Sequence, residues 1–147
     1  MIEKLYFPTP LWDGLADEAR AAFPRECCGL IEGIRDKTAA HAVAIHATRN
    51  AALEADRFEI DPAEHIRLLG QLRGTAKEII GCYHSHPNGL AEPSKHDLAG
   101  ASREDFLWLI VALATCKGRL DVQLGAFDIG PGRVREVAIE SDTIAAA

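Results

Sequence analysis

The 147-residue sequence lacks an apolar run long enough to cross a membrane and lacks a stretch typical of a secretory signal. Its longest apolar run, residues 106–114, has the length of a strand. Positive charge is also scarce, because 16 Lys and Arg stand against 22 Asp and Glu and the net charge is −6. A phosphate backbone would be repelled by this charge. We therefore expect a cytoplasmic domain that binds neither membranes nor nucleic acids.

Cysteine is present but not in a pattern that builds a structural site. The four residues are Cys27, Cys28, Cys82 and Cys116, and no CxxC pair occurs among them. This spacing excludes a zinc ribbon and a disulfide framework. We expect the cysteines to be small buried apolar residues in a reducing compartment.

The hydrophobic pattern predicts one α/β (α+β) domain with a mixed sheet of six or seven strands and about three helices. Hydrophobic residues make up 48% of the chain and charged residues 26%, as in ordinary globular proteins. The last seven residues, 141–147, are expected to form a flexible tail. The predicted strands are 4–7, 28–34, 41–47, 78–84, 106–114, 120–127 and 133–139. The predicted helices are 11–23, 61–74 and 94–101.

The residues most suited to chemistry lie in the sequence YHSHP and in the sequence SKHD that follows it. His84 and His86 are two apart at the end of a predicted strand, so both imidazoles point to one face. Ser94 and Asp97 are three apart at the start of a predicted helix and also share a face. Two His and one Asp can hold a zinc ion and leave the fourth tetrahedral position open, as catalytic zinc sites require.

Other interpretations of these residues stay open on the pattern alone. A His-x-His pair is common without a metal, and Ser94 can be a plain helix N-cap. His96 is a rival ligand. Because adjacent residues of a helix point in different directions, its side chain should lie on another side of the helix from that of Asp97. Cys82 lies on the same face of the predicted strand as the two histidines, and we expect it to pack beneath the site.

The full string His84-x-His86, seven residues, Ser94-x-x-Asp97 resembles the signature of the JAMM metalloproteases, also called the MPN-plus domain. The segment PRECCGLIEG matches the upstream part of that family and places Glu26 at the general-base position. Asn50 and the later FEIDP stretch resemble the compact prokaryotic branch. The resemblance covers residues 1–140 and implies one cytidine-deaminase-like JAMM/MPN-plus domain.

The resemblance also implies roles for the matching residues. His84, His86 and Asp97 would hold one Zn²⁺ per chain, Glu26 would act as general base, and Ser94 would stabilise the oxyanion. The implied reaction is hydrolysis of the bond after the C-terminal Gly-Gly of a ubiquitin-like sulfur-carrier protein. Release of a single amino acid from the carrier is the leading expectation, and the oligomeric state stays undetermined.

Three alternatives accompany this expectation. The first is a general isopeptidase of the deubiquitinase type that acts on other conjugates. The second is a non-catalytic MPN scaffold, a type that lacks the ligands and the base that this sequence retains. The third resembles the RadC-type domain, which shares the His-x-His and Asp pattern, but the sequence has no helix-hairpin-helix segment ahead of it and its charge is unsuitable.

Overall fold

The computed structural model describes residues 1–54, 57–100 and 106–141. In these ranges it contains seven strands and three helices, which confirms the predicted mixed α/β class. The strands are β1 Lys4–Tyr6, β2 Cys28–Arg35, β3 Ala39–Thr48, β4 Glu78–His86, β5 Leu107–Cys116, β6 Arg119–Gly130 and β7 Arg133–Glu140. The helices are α1 Thr9–Ala22, α2 Pro62–Leu72 and α3 Lys95–Gly100.

The sheet closes on itself in the order β1-β3-β2-β4-β5-β6-β7. The short strand β1 completes the ring, since it pairs in parallel with both β3 and β7. Strand β4 lies between β2, which is antiparallel to it, and β5, which is parallel to it. This position places the C-terminal end of β4 inside the sheet, where its side chains are screened from water.

Alternate residues of the central strands belong to two different apolar clusters, because successive side chains of a strand point to opposite faces of the sheet. In β5, Leu107 and Leu109 belong to the larger cluster, whereas Trp108 and Ile110 belong to the smaller one. Burial on both faces explains why residues 106–113 are continuously apolar. The smaller cluster includes Cys82 and therefore lies on the face of β4 that carries the two histidines.

Local signals set the helix starts. Asp61 accepts a hydrogen bond from the backbone N–H of Ala63 at 3.0 Å, and Pro62 occupies the first turn of α2, as predicted. The ends of elements differ by a few residues from the predicted ones. The most relevant difference is that β4 continues to His86, two residues beyond its predicted end.

Among the described residues, no helix is both long enough and apolar enough to cross a membrane. The cytoplasmic location stays a prediction. Residues 142–147 of the expected flexible tail lie outside the described residues.

The cysteines differ in burial, and this predicts their reactivity. Cys27, Cys28 and Cys82 are buried, but Cys116 is exposed, so the expectation that all four are buried is wrong for Cys116. Burial raises the pKa of the Cys27 thiol to about 12, and it also raises the pKa of Cys28 and Cys82. Since the thiolate is the reactive form, we expect iodoacetamide at neutral pH to modify the folded chain at Cys116 alone.

Mass spectrometry of the intact protein tests this expectation. One adduct should form on the native chain and four in denaturant, one for each cysteine. The Cys116→Ser variant is the control and should stay unmodified while folded. Rapid labelling of Cys27 in the native chain would contradict the described burial.

Candidate metal centre

The end of β4 places two imidazoles side by side in the protein interior. The Nε2 atoms of His84 and His86 lie 2.9 Å apart. Both residues are buried, with exposed fractions of 0% and 4%. The two rings therefore lie on the same face of the strand, as predicted, and their ring nitrogens converge on one point.

Helix α3 brings a carboxylate to the same point. Asp97 Oδ2 lies 3.1 Å from the Nε2 atom of each histidine. The same oxygen accepts the backbone N–H of Ser94 at 2.8 Å, while Ser94 Oγ accepts the backbone N–H of Asp97 at 3.1 Å. This reciprocal pair is a capping box with Asp at its third position, and it holds the Asp97 carboxylate over the histidines.

The three converging atoms have the spacing of a metal-ligand set. Their separations are 2.9, 3.1 and 3.1 Å. Neighbouring ligands of a tetrahedral zinc ion with bonds of about 2.0 Å lie about 3.3 Å apart. Imidazole nitrogen and carboxylate oxygen are both zinc donors. The residues of this cluster therefore fit a zinc ion with one open coordination position.

Electrostatics also favours a cation at this point. Burial alone would raise the pKa of Asp97, but hydrogen bonds from His84, His86 and the Ser94 amide outweigh burial and hold that pKa well below its usual range. Burial lowers the pKa of His84, which favours the neutral ring that metal ligation needs. Burial would also lower the pKa of His86, but Asp97, the Leu90 carbonyl and Glu26 raise it. The carboxylate thus stays ionised and attracts positive charge.

The imidazole of His86 has a hydrogen-bond partner for Nδ1, the ring nitrogen that points away from the cluster. His86 Nδ1 lies 3.0 Å from the carbonyl oxygen of Leu90, to which it can only donate. In the neutral ring, this hydrogen bond leaves the lone pair on Nε2, which is the atom that faces the cluster. The tautomer of His86 is therefore the one that a metal requires.

Glu26 reaches the cluster from the segment just before β2. It is buried, and ligand atoms of Glu26, His84 and His86 all lie within 4.8 Å of one another. A pocket of about 200 Å³ opens beside it. The pocket is lined by Glu26, Arg57, Phe58, Ser94, His96, Asp97 and Ala99. All five residues singled out in the sequence thus meet at one place.

Cys82 and His96, the two alternative ligands considered from the sequence, both lie outside the triangle of ligand atoms. Cys82 is buried in the smaller apolar cluster, and its raised pKa keeps the thiol protonated, which agrees with packing. His96 is exposed and lines the pocket rather than the buried triangle of ligand atoms. Its place as a rival ligand has no support from the described contacts.

The pattern did not reveal the contacts that support the site. Ser85 points away from the histidines, as predicted, but it accepts the backbone N–H of Cys27 at 2.8 Å rather than only packing. Asn50 donates to the carbonyl oxygen of Glu26 at 2.9 Å. Phe58 stacks on the His84 ring. The likeness of the FEIDP stretch to the prokaryotic branch was the sequence feature that pointed to Phe58. No sequence feature pointed to the hydrogen bond of Ser85.

Comparison with known proteins places the chain in a family. The family model described as prokaryotic homologs of the JAB domain matches residues 8–123. The chain belongs to this JAB family. The resemblance to JAMM/MPN proteins drawn from the sequence is thereby confirmed.

Curated relatives of this JAB domain include two proteins named Desampylase. That of Haloferax volcanii is 34% identical over 88 residues, which are 59% of this chain and 62% of the relative. That of Pyrococcus furiosus is 31% identical over 86 residues, 58% of this chain and 59% of the relative. The chain thus spans about three fifths of the length of these relatives. A tail tip assembly protein K of Escherichia phage N15 is 27% identical over 103 residues, 68% of this chain and 37% of the relative.

Two solved structures resemble this chain along almost its whole length. A solution structure of a protein from Desulfitobacterium hafniense has a TM-score of 0.82 at 25% identity and covers 96% of both chains. A second, from Salinibacter ruber, has a TM-score of 0.66 at 23% identity and covers 95% of this chain and 92% of that one. The second likeness concerns the fold alone.

Proposed function

We propose that this JAB domain is a zinc-dependent hydrolase of peptide or isopeptide bonds with one zinc ion per chain. The observation that carries the proposal is the triangle of His84 Nε2, His86 Nε2 and Asp97 Oδ2, with edges of 2.9–3.1 Å, beside the buried Glu26 carboxylate. A metal-ligand set next to a general base is the arrangement that metal-assisted hydrolysis needs.

His84, His86 and Asp97 would hold the zinc, whose Lewis acidity lowers the pKa of water to about 7 in such sites. Glu26 accepts the proton of the attacking water and passes it to the leaving amine. Its burial keeps competing water away from the carboxylate. In this mechanism His84, His86 and Asp97 are therefore metal ligands, and Glu26 is the general base.

Ser94 can serve as cap and as oxyanion donor at the same time. Its Oγ accepts the Asp97 N–H, which uses one lone pair and leaves the hydroxyl hydrogen free to donate. Because Ser94 lines the same pocket as Glu26, that hydrogen can point to the developing negative charge of the substrate carbonyl. In this mechanism Ser94 is an electrostatic donor and not a nucleophile.

The proposed substrate is a ubiquitin-like sulfur-carrier protein with a C-terminal Gly-Gly, from which one amino acid is released. The support is indirect, because it comes from two relatives of the chain that carry the name Desampylase. A small pocket suits a tail without side chains, since glycines can lie extended in a narrow groove. A general isopeptidase on other conjugates is the second candidate, and the same relatives favour it.

A comparison of two substrates tests the proposal. The zinc-loaded chain is incubated with a carrier protein that bears one C-terminal amino acid and with an isopeptide-linked carrier dimer, and products are followed by mass spectrometry. We expect faster release of the single amino acid, together with one zinc per chain by elemental analysis. Preferred cleavage of the dimer would favour the isopeptidase. Failure to cleave either substrate despite bound zinc would favour a scaffold role.

A further inference from the structure

The two histidines of the metal centre are held in different ways. His86 donates its Nδ1–H to the Leu90 carbonyl. His84 is fully buried, and within the described part of the chain its Nδ1 has no hydrogen-bond partner. Ligand histidines almost always use that second nitrogen to fix the ring. In His84 the ring orientation must therefore come from packing.

An aromatic ring supplies this packing. The phenyl ring of Phe58 stacks on the His84 imidazole with 4.0 Å between centroids and 13° between planes. Trp108 meets the same imidazole edge-on at 6.0 Å and 89°, and it contacts Phe58 at 5.9 Å and 78°. Rotation of the imidazole would drive its edge into the phenyl face. The stack therefore restricts the direction in which His84 Nε2 points.

Phe58 is itself held by the side chain of Asn50. Asn50 Nδ2 donates to the carbonyl oxygen of Arg57 at 2.9 Å, and Asn50 Oδ1 accepts the backbone N–H of Glu59 at 3.0 Å. These are the residues on either side of Phe58. The same Nδ2 donates to the carbonyl oxygen of Glu26 at 2.9 Å. One amide thus connects the stacked ring with the segment that carries the proposed base.

We propose that Phe58 is a positioning residue, which orients the imidazole of His84 for zinc in place of a hydrogen bond to its Nδ1, for which the described residues offer no partner. This inference rests on the proposed metal site, because it assigns His84 as a ligand. It predicts that loss of the phenyl face weakens zinc binding even when the apolar volume is kept.

The test is zinc affinity of Phe58→Leu, measured by competition with a chromogenic chelator. Loss of a supporting group around a metal ligand weakens binding by about 10-fold to 100-fold, and we expect a loss of about 10-fold here. The visible absorption spectrum of the Co²⁺-substituted chain should also change, because it reports ligand geometry. Phe58→Tyr keeps the ring and should restore both affinity and spectrum.

Phe127→Leu is the matched control. Phe127 belongs to the same apolar cluster but has no described ring contact with a ligand, so this variant should lose stability and keep zinc affinity. If Phe58→Leu does not fold, Phe58→Met offers an apolar side chain of similar length without a ring face, and the same loss is expected.

The outcomes separate the two proposals. Wild-type affinity and an unchanged Co²⁺ spectrum in Phe58→Leu, with zinc bound by the wild-type chain, would overturn the positioning role alone. A wild-type chain that binds no zinc would overturn the metal site and this role with it. An equal loss of affinity in Phe127→Leu would show a general effect of core packing and would also overturn the positioning role.

Discussion

Glu26→Gln is expected to remove hydrolysis and to leave one zinc per chain. Glutamine has the shape of glutamate but cannot accept the proton of the attacking water at neutral pH. General-base catalysis contributes about 10²-fold to 10⁴-fold, so kcat should fall by about that factor. Single-turnover cleavage of the carrier adduct, with zinc content measured on the same sample, checks both parts of this expectation.

Glu32→Gln is the matched control for that variant. Glu32 lies in β2, six residues after Glu26, and its carboxylate contacts His46 at 2.8 Å and Lys77 at 3.7 Å rather than the metal cluster. Its loss should affect stability and not the chemical step. Cleavage by Glu26→Gln at the wild-type rate would show that another group takes the proton.

The cluster of His84, His86 and Asp97 could be predicted from the sequence because each part follows a short-range rule. His84 and His86 share a face because side chains alternate along a strand. Ser94 and Asp97 approach each other because a capping box ties residues three apart at a helix start. Only seven residues separate His86 from Ser94, and this short connection limits how far apart the two pairs can lie. Glu26 is different, since only its family resemblance singled it out among the many carboxylates.

The features that could not be predicted depend on contacts distant in sequence. Closure of the sheet needs β1 to pair with both β3 and β7, and nothing in a three-residue strand specifies two partners. The hydrogen bond from the Cys27 amide to Ser85 spans 58 residues. Phe58 lies in a segment without helix or strand periodicity, so its stacking on His84 follows from the folded chain alone. Local patterns therefore predicted which side chains come together as proposed ligands, and tertiary packing determines how these side chains are supported.

Asp97→Asn is expected to separate the two roles of that carboxylate. Asp97 caps the start of α3 through Ser94, and its Oδ2 also completes the triangle with the two histidines. An asparagine oxygen can still accept the Ser94 N–H, so the helix should persist. The variant loses the negative charge that favours a cation, and we expect zinc affinity to fall by more than about 100-fold, beyond the range for supporting residues.

Ser94→Ala is the complementary variant, because it removes the other half of the capping box. It should cost about 1 kcal/mol of stability, as loss of a helix cap does, while zinc binding is retained. Scanning calorimetry with and without zinc compares the two directly. A ligand at 1,000 times its Kd stabilises the folded state by about 4 kcal/mol, so at that zinc concentration the Tm of the wild type and of Ser94→Ala should rise much more than the Tm of Asp97→Asn. An equal rise in Asp97→Asn would mean that the carboxylate is a cap and not a ligand. The third protein donor would then have to be sought in Glu26, whose ligand atom lies within 4.8 Å of those of both histidines.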